Sequence, residues 1–449
     1  MGQTGLLNSF LAAIQASLSV LLVIFYGGLA AHLKLLDGPS STAISKICVK
    51  MFLPALLLTK IGAELHAGSA ELYVVVLVWA LACHIVSFLI GAAAHYLLGM
   101  PDWITAAIMF NNTTSYPLLL VQSLDETGIL SDLVVTGEST PDAIERAKSY
   151  FLVFATISSC LTFAIGPRLI DSEHAPEPSD DKSVSEAEDD TTNAEEVDSQ
   201  AIENERTHLL ANEDGHLSVS RRGSAFFPSK HRHIQTEPIT HNRRPSVVAK
   251  RRWDTLSDRS KWWLLFLYDF LNAPLMGAVL GTIIGLVSPL KRAFFNNTFD
   301  GGILSAWLTP SLKSIGDLFV PLPVVVAGVS LYLSMQQSRK EAAKDGTPWP
   351  TTIFILVVRF VLWPLISIGI VYLLAKNTTI LGQDPMLWFT MMLMPTGPSA
   401  IKLITMVQVG EGSDKEQQKI AQLLTISYVI SPVLAFTVVG ALRASHAAI

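Results

Sequence analysis

WITAAIMFNNTTSYPLLLVQSL, Trp103 to Leu124, decides the fold, and WFTMMLMPTGPSAIKLITMVQV, Trp388 to Val409, repeats its pattern far along the chain. Each stretch opens on a tryptophan, runs apolar for about two helical turns and then breaks. The first breaks into Asn111-Asn112-Thr113-Thr114-Ser115, with Tyr116 and Pro117 following. The second breaks into Pro395-Thr396-Gly397-Pro398-Ser399, with Lys402 just beyond. Hydrocarbon has no water to satisfy freed peptide groups. A break at membrane depth must therefore be buried in protein or line a cavity.

The rest of the chain supports a membrane setting. Its 449 residues are 50% hydrophobic, and the mean hydropathy of +0.41 includes one long polar stretch. Apolar runs of membrane-spanning length recur along it. They predict ten spans, near 8–33, 43–62, 72–98, 103–124, 149–169, 264–288, 312–335, 351–374, 386–409 and 420–442. The first run is too long for a signal-peptide core and lacks a basic leader, so it reads as a mature helix. The formal charge of −6 says little, because most charges sit in one loop. Cys48, Cys83 and Cys160 lie in apolar spans with no disulfide or zinc spacing and read as packing residues.

Residues 171–261 divide the chain into a first five-helix unit (1–170) and a second (262–449). A second match joins the halves. Lys46-Ile-Cys-Val-Lys50-Met-Phe52-Leu-Pro54 aligns with Lys313-Ser-Ile-Gly-Asp317-Leu-Phe319-Val-Pro321, with Lys, Phe and Pro in register. An odd number of helices per repeat forces opposite orientations. The expected fold is thus an all-α polytopic membrane protein of two inverted five-helix repeats, its broken fourth and ninth helices crossing at the midplane. Lys34, Lys46, Arg339, Lys340, Lys344, Lys415 and Lys419 fall on the side of the insert. The acidic loop 125–145 and the sequons at Asn296 and Asn377 fall on the other, and Lys291 and Arg292 dissent. The insert is accordingly placed in the cytosol.

The insert itself is biased in composition. Residues 171–214 hold sixteen acids against two bases, and 221–261 invert that balance, which predicts disorder. Its basic end, Lys250-Arg251-Arg252 and Lys261, is expected near anionic lipid. Arg221-Arg222-Gly223-Ser224 and Arg243-Arg244-Pro245-Ser246 look like basophilic kinase sites. Glu205 to Leu209-Leu210 resembles an acidic dileucine sorting signal, which would engage an adaptor.

Each break also starts a new half-helix. Pro117 and Pro398 suit a first helical turn, and Thr113, Thr114 and Ser115 are capping types. In inverted repeats both new N-termini point inward, each with free N–H groups and about half a positive charge. That builds an anion site from backbone, to which Asn112, Ser115 and Ser399 add donors. The alternative is a pair of proline kinks that serve packing alone. Lys402 would neutralise a carboxylate, or else snorkel to the cytosolic face. Arg359 reads as an interfacial anchor or a structural ion pair, and His84 as a satisfied interior histidine. Lys50 and Asp317 occupy equivalent repeat positions at opposite depths. Asp269 and Asn272 are expected to cap the sixth span.

No HExxH, GxSxG or Walker A motif occurs, and no cofactor or metal motif is present. Neither an enzyme nor an ATP-driven pump is indicated; secondary transport or facilitated diffusion is. Two other readings stay open: a receptor that signals through the insert, and a proton- or cation-coupled carrier. The scarcity of intramembrane acids argues against the latter.

Asn112-Thr-Thr-Ser-Tyr-Pro117-Leu with Gln122-Ser-Leu resembles the fourth-span motif of the auxin efflux carrier family, especially its PIN-likes branch. Gly397-Pro-Ser-Ala-Ile-Lys402-Leu and Gly410-Glu411 resemble its ninth-span motif. Phe52-Leu-Pro54, Asn272-Ala-Pro274, Gly281 and Gly285 also fit, and Leu424-Thr-Ile-Ser-Tyr resembles fungal members. The resemblance implies a scaffold, a moving transport domain and crossed broken helices. It also implies amphipathic organic anions such as indole-3-acetate as substrates, with Asn112 on the carboxylate and the prolines setting the crossover. The residues themselves place the site between 111–117 and 395–402, where Tyr116 would take a ring. Lys402 departs from the plant pattern of an uncharged polar residue. PIN-likes relatives imply the endoplasmic reticulum; the dileucine string points instead to the vacuole, and the plasma membrane stays open. A homodimer and lipid contacts complete the expected partners, and nucleic acid is not among them.

Overall fold

The computed structural model describes residues 6–170 and 260–449, apart from 67, 102, 135–137, 261–262, 265–266, 269, 342–348, 401–402 and 404–413. The insert with Ser224, Ser246 and Leu209-Leu210, and also Asp269 and Lys402, lie outside the described residues. The described residues are helical, with no strand longer than a single bridge.

Helix α1 spans Leu6–His32. Helices α2 (Gly38–Ile47) and α3 (Leu53–Glu64) run on through a π turn at Cys48–Phe52. Then come α4 (Ala70–Leu98), α5 (Trp103–Met109), α6 (Ser115–Glu126) and α7 (Thr140–Ile170). The second half holds α8 (Ala273–Leu286), α9 (Ser288–Phe295), α10 (Leu308–Asp317) and α11 (Leu322–Glu341). It continues with α12 (Trp349–Val357), α13 (Trp363–Asn377), α14 (Pro385–Leu393), α15 (Asp414–Val429) and α16 (Leu434–Ala448).

Among the described residues, six helices are long and apolar enough to cross a membrane, or eight if each of two bent pairs counts as one span. The fourth and ninth expected spans are not among them because each is interrupted. Residues 110–114 part α5 from α6, and α14 stops at Leu393, ahead of the second break. Two boundaries differ from expectation. The fifth span begins at Thr140, not 149, so Glu145 and Arg146 sit on helix and not in an acidic loop. The sixth ends at Leu286, and α9 turns away from α8 by 102°, which sets Lys291 and Arg292 on a separate short helix. Asn272 does cap α8, accepting the Leu275 N–H at 3.1 Å.

Burial sorts the helices. Within α7, 82% of the spanning window is buried, against 33% in α1, α2–α3 and α4, so α7 is the central post. The outer faces of α1 and α4 stay apolar: Leu18, Leu22 and Phe25 on one and Val78, Ile85 and Leu89 on the other are exposed. Such faces suit lipid. Among hydrocarbon tails the hydrophobic effect cannot press helices together, so close backbone contact has to do so. Helices α1 and α11 meet at Gly27 and Gly328, where a Cβ would lie 2.0 Å from the Val325 carbonyl and 1.9 Å from the Ile24 carbonyl. Gly277 and Gly281 let α8 approach Pro54 and Leu57 of α3 in the same way. Pro54 sits just past the π turn of the second span, and Pro321 sits in the turn between α10 and α11.

Because no side chain fits at the α1–α11 crossing, Gly328→Val should cost about 1–3 kcal/mol or more through overpacking. Gly369→Ala, where a Cβ meets nothing within 4 Å, should be neutral. Thermal unfolding of the purified protein in micelles reads both; equal midpoints would refute the close crossing.

Candidate functional site

The two breaks meet and pair. Asn111 and Ser399 form an antiparallel bridge. The Asn112 N–H donates to the Pro398 carbonyl at 3.0 Å, and the Ala400 N–H donates to the Phe110 carbonyl at 2.9 Å. Each break thus satisfies backbone that the other has freed, without water. Gly397, at φ 96°, makes the turn that allows it.

Side chains complete the pairing. Both amide hydrogens of Asn111 are used, on the Met394 carbonyl at 2.9 Å and the Thr396 carbonyl at 2.8 Å. Ser399 Oγ returns a bond to the Ala107 carbonyl at 2.9 Å. Asn112 Nδ2 donates to the Tyr428 hydroxyl at 2.9 Å, while its Oδ1 accepts the Tyr116 N–H at 3.5 Å. The cap of α6 therefore comes from Asn112; Thr114 stands at the N-cap position with no side-chain cap bond. Ser115 Oγ reaches the Phe319 carbonyl at 3.5 Å. Thr113, Pro117, Pro395 and Pro398 are buried in the crossing. Tyr116 is 2% exposed and packs edge-on to Tyr428, so its ring is core and not cavity wall. Beyond Ala400 only Leu403 is described before residue 414, so the second half-helix N-terminus is not placed.

Arg359 departs from its sequence expectation. It is no interfacial anchor, and among the described residues it has no ion pair. It is 1% exposed, and its Nη1 donates to the Pro395 carbonyl at 3.1 Å. Its Nε and Nη2 have no partner among the described residues. The π turn Val358–Leu362 bulges the helix where it sits. An arginine four residues before the Trp363-Pro364 pair looks like the end of a span; only the tertiary position of Pro395 reveals the contact. His84, expected to be satisfied, bonds the Ala80 carbonyl through Nδ1 at 2.7 Å but leaves Nε2 unpartnered among the described residues.

A cavity of about 500 Å³ adjoins the crossing on the α6 side. Its apolar wall includes Leu56, Leu118, Leu152, Val320 and Pro321. Lys60, Lys148 and Lys313 line it too, with Glu145, Asp317 and Gln122. Leu118 follows Pro117 directly, and Val320 follows the Phe319 whose carbonyl holds Ser115. The void lies along the first turns of α6, beside and not between the paired breaks. None of the predicted site residues that are described lines it; Lys402 lies outside the described residues. A charge network edges this region. Lys60 pairs with Glu145, and Arg146 pairs with Glu138. Arg146 also grips Asp384 through Nε at 3.1 Å and Nη2 at 3.2 Å. Asp384 in turn caps α14 at the Met386 N–H and accepts from the Tyr150 hydroxyl at 3.1 Å. The central helix α7 thereby fixes where the second broken span starts.

Apolar helices, a doubly broken core and an adjoining cavity define an integral membrane protein of the transporter class. The chain belongs to the family described as membrane transport proteins, that of the auxin efflux carriers, whose match covers residues 12–438. An uncharacterised transporter of Schizosaccharomyces pombe is 26% identical over 438 residues, covering 94% of this chain and 92% of that one. An uncharacterised transporter of Saccharomyces cerevisiae is 25% identical, covering 95% and 94%. PIN-LIKES 5 of Arabidopsis thaliana is 30% identical over 172 residues, covering 38% of this chain and 39% of that one.

Two substitutions separate the roles in the crossing. Asn111→Asp keeps the shape but replaces donors with acceptors facing two carbonyls. It should cost about 2–6 kcal/mol, at about 1–3 kcal/mol per unsatisfied group. Arg359→Gln can still donate to Pro395 and removes an unpaired buried charge, so stability should hold or rise by about 1 kcal/mol. Chemical denaturation in micelles checks both. A stable Asn111→Asp, or a collapse of Arg359→Gln, would contradict these assignments.

Proposed function

We propose that the protein carries a small amphipathic organic anion across its membrane by alternating access. The cavity carries this reading: about 500 Å³, apolar on its inner wall, with three lysines against two acids in its lining. That volume suits a small molecule, and the pairing of apolar surface with lysine suits a ring or chain that bears a carboxylate. Membership of a transporter family and the uncharacterised transporters of two yeasts support transport.

Counting each bent pair and each interrupted stretch as one span gives, on our reading, ten with the six long helices. On our reading they form two inverted repeats of five, with the insert in the cytosol and the endoplasmic reticulum as the membrane. The crossing, held by its own hydrogen bonds, moves as a unit and carries the wall of the cavity with it. The first turn of α6 brings the positive end of the helix dipole near the cavity, although the Tyr116 N–H is taken by Asn112, Pro117 has none and the Leu118 N–H bonds Thr114. Asn112 gives one amide hydrogen to Tyr428, and its second amide hydrogen is the donor for an anion. Lys402 supplies further charge from the segment beyond the second break.

Uptake of labelled indole-3-acetate and benzoate into proteoliposomes tests the proposal. Wild-type protein should give saturable uptake. Lys402→Met should lower it about tenfold or more, the weight of one lost charge pair in a site away from water, with the unfolding midpoint unchanged. Absence of any anion flux would refute the carrier, and full activity of Lys402→Met would refute the charge role.

A further inference from the structure

Glu145 projects from α7 into the cavity, and each of its carboxylate oxygens is held by a different lysine. Oε2 pairs with Lys60 of α3, and Oε1 accepts from Lys148 Nζ at 2.9 Å. The lysine side chains are 14% and 21% exposed and the glutamate 36%, so the trio sits half-buried at the opening. Across the cavity α10 adds Lys313 and Asp317, one turn apart. Glu64, one turn beyond Lys60, and Lys291 lie within reach of the same field.

Two ammonium groups converging on the two oxygens of one carboxylate is the arrangement a free carboxylate ligand would adopt. The tie is not what anchors α7: Arg146, the next residue, already joins it to α14 through a bidentate pair with Asp384. Glu145 does keep two half-buried lysines compensated, since an uncompensated charge in such a place is costly. Without Glu145 the lining would hold three lysines against Asp317 alone.

We propose that Lys60 and Lys148 form a carboxylate-binding subsite at the opening of the cavity, and that Glu145 occupies it when no ligand is bound. This rests on reading the cavity as ligand space. An arriving carboxylate exchanges with Glu145, so the two lysines stay paired and the released Glu145 carboxylate turns to the solvent, to which its side chain is already 36% exposed. The exchange rejects neutral molecules and cations, which cannot take over the lysines. It also keeps affinity moderate, which release on the far side requires.

Titration of the full-length protein in nanodiscs with benzoate, and with benzamide as the uncharged analogue, tests the subsite. Glu145→Gln keeps the size and removes the competing charge. Benzoate should then bind about tenfold tighter, the worth of one charge-assisted bond, while benzamide does not change. Adding Lys148→Met, or separately Lys60→Met, to Glu145→Gln should cancel the gain. A purely structural Glu145 would instead lower the unfolding midpoint and leave benzoate affinity unchanged or weaker, which overturns the proposal. So would an equal gain for benzamide, or no benzoate binding by either protein. Flux separates this from the carrier reading. Tighter benzoate binding without uptake by wild type keeps the subsite and sinks the carrier. Uptake without tighter binding does the reverse.

Discussion

Six consecutive carbonyls, Met391 to Thr396, emerge from a helix that ends inside an apolar protein, and each of them is satisfied. Trp79 of α4 serves Met391 at 3.0 Å, and Ser367 of α13 serves Met392 at 2.6 Å. Thr396 turns back on Leu393 through its N–H and its hydroxyl. Asn111 takes Met394 and Thr396, and Arg359 takes Pro395. An unsatisfied peptide carbonyl in such a place costs several kcal/mol. The break therefore exists only if donors arrive from four other segments of the chain. That requirement fixes how α4, α13, the π turn before α13 and the first break lie around α14.

The same requirement decides what the crossing can do. Its polar groups are mostly committed to one another, so it is a rigid joint more than an open receptor. Asn111 is a clamp. Ser399 answers it through Ala107. A cavity lies one step along, where α6 leaves the joint and its apolar residues Leu118 and Leu119 meet α3, α7 and the α10–α11 turn. Joint and cavity share a wall, since Phe319 touches Ser115 and its neighbour Val320 faces the void. A shift of the joint must reshape the cavity, which is the mechanical link a carrier needs.

The breaks were legible because Asn, Thr, Ser, Gly and Pro stand out in an apolar run, and hydrocarbon tolerates such residues only for a reason. The helical class and the membrane setting emerged from the same contrast. What sequence could not give was reciprocity. Asn111 and Asn112 are adjacent and chemically identical, yet one closes the second break and the other caps α6 and meets Tyr428. Only the three-dimensional pairing tells them apart. Spacing placed the site at the breaks themselves; among the described residues mutual hydrogen bonding commits most polar groups there, and a void opens a turn away along α6. Glu145 was hidden by its neighbours: acids at 125–145 read as loop, whereas α7 begins at Thr140 and carries Glu145 and Arg146 into the structure. Arg359 looked terminal because its partner is a carbonyl, which leaves no mark in a sequence.

Arg359 also bears on the sign of what the protein handles. Among the described residues no acid pairs with it, and two of its nitrogens have no partner there. A buried guanidinium held by one carbonyl is an expensive way to satisfy that carbonyl; a glutamine would serve with no charge to desolvate. What the arginine adds is a fixed positive charge behind the joint, in a medium that screens it weakly. The cavity lining on the other side of the joint carries three lysines against two acids. Among the described residues, formal positive charge is thus in excess by one at each place. Fields of this kind raise the local concentration of anions and repel cations over distances longer than a hydrogen bond. On the carrier reading proposed above, these side chains suit a negatively charged ligand, independently of the helix ends that first suggested one.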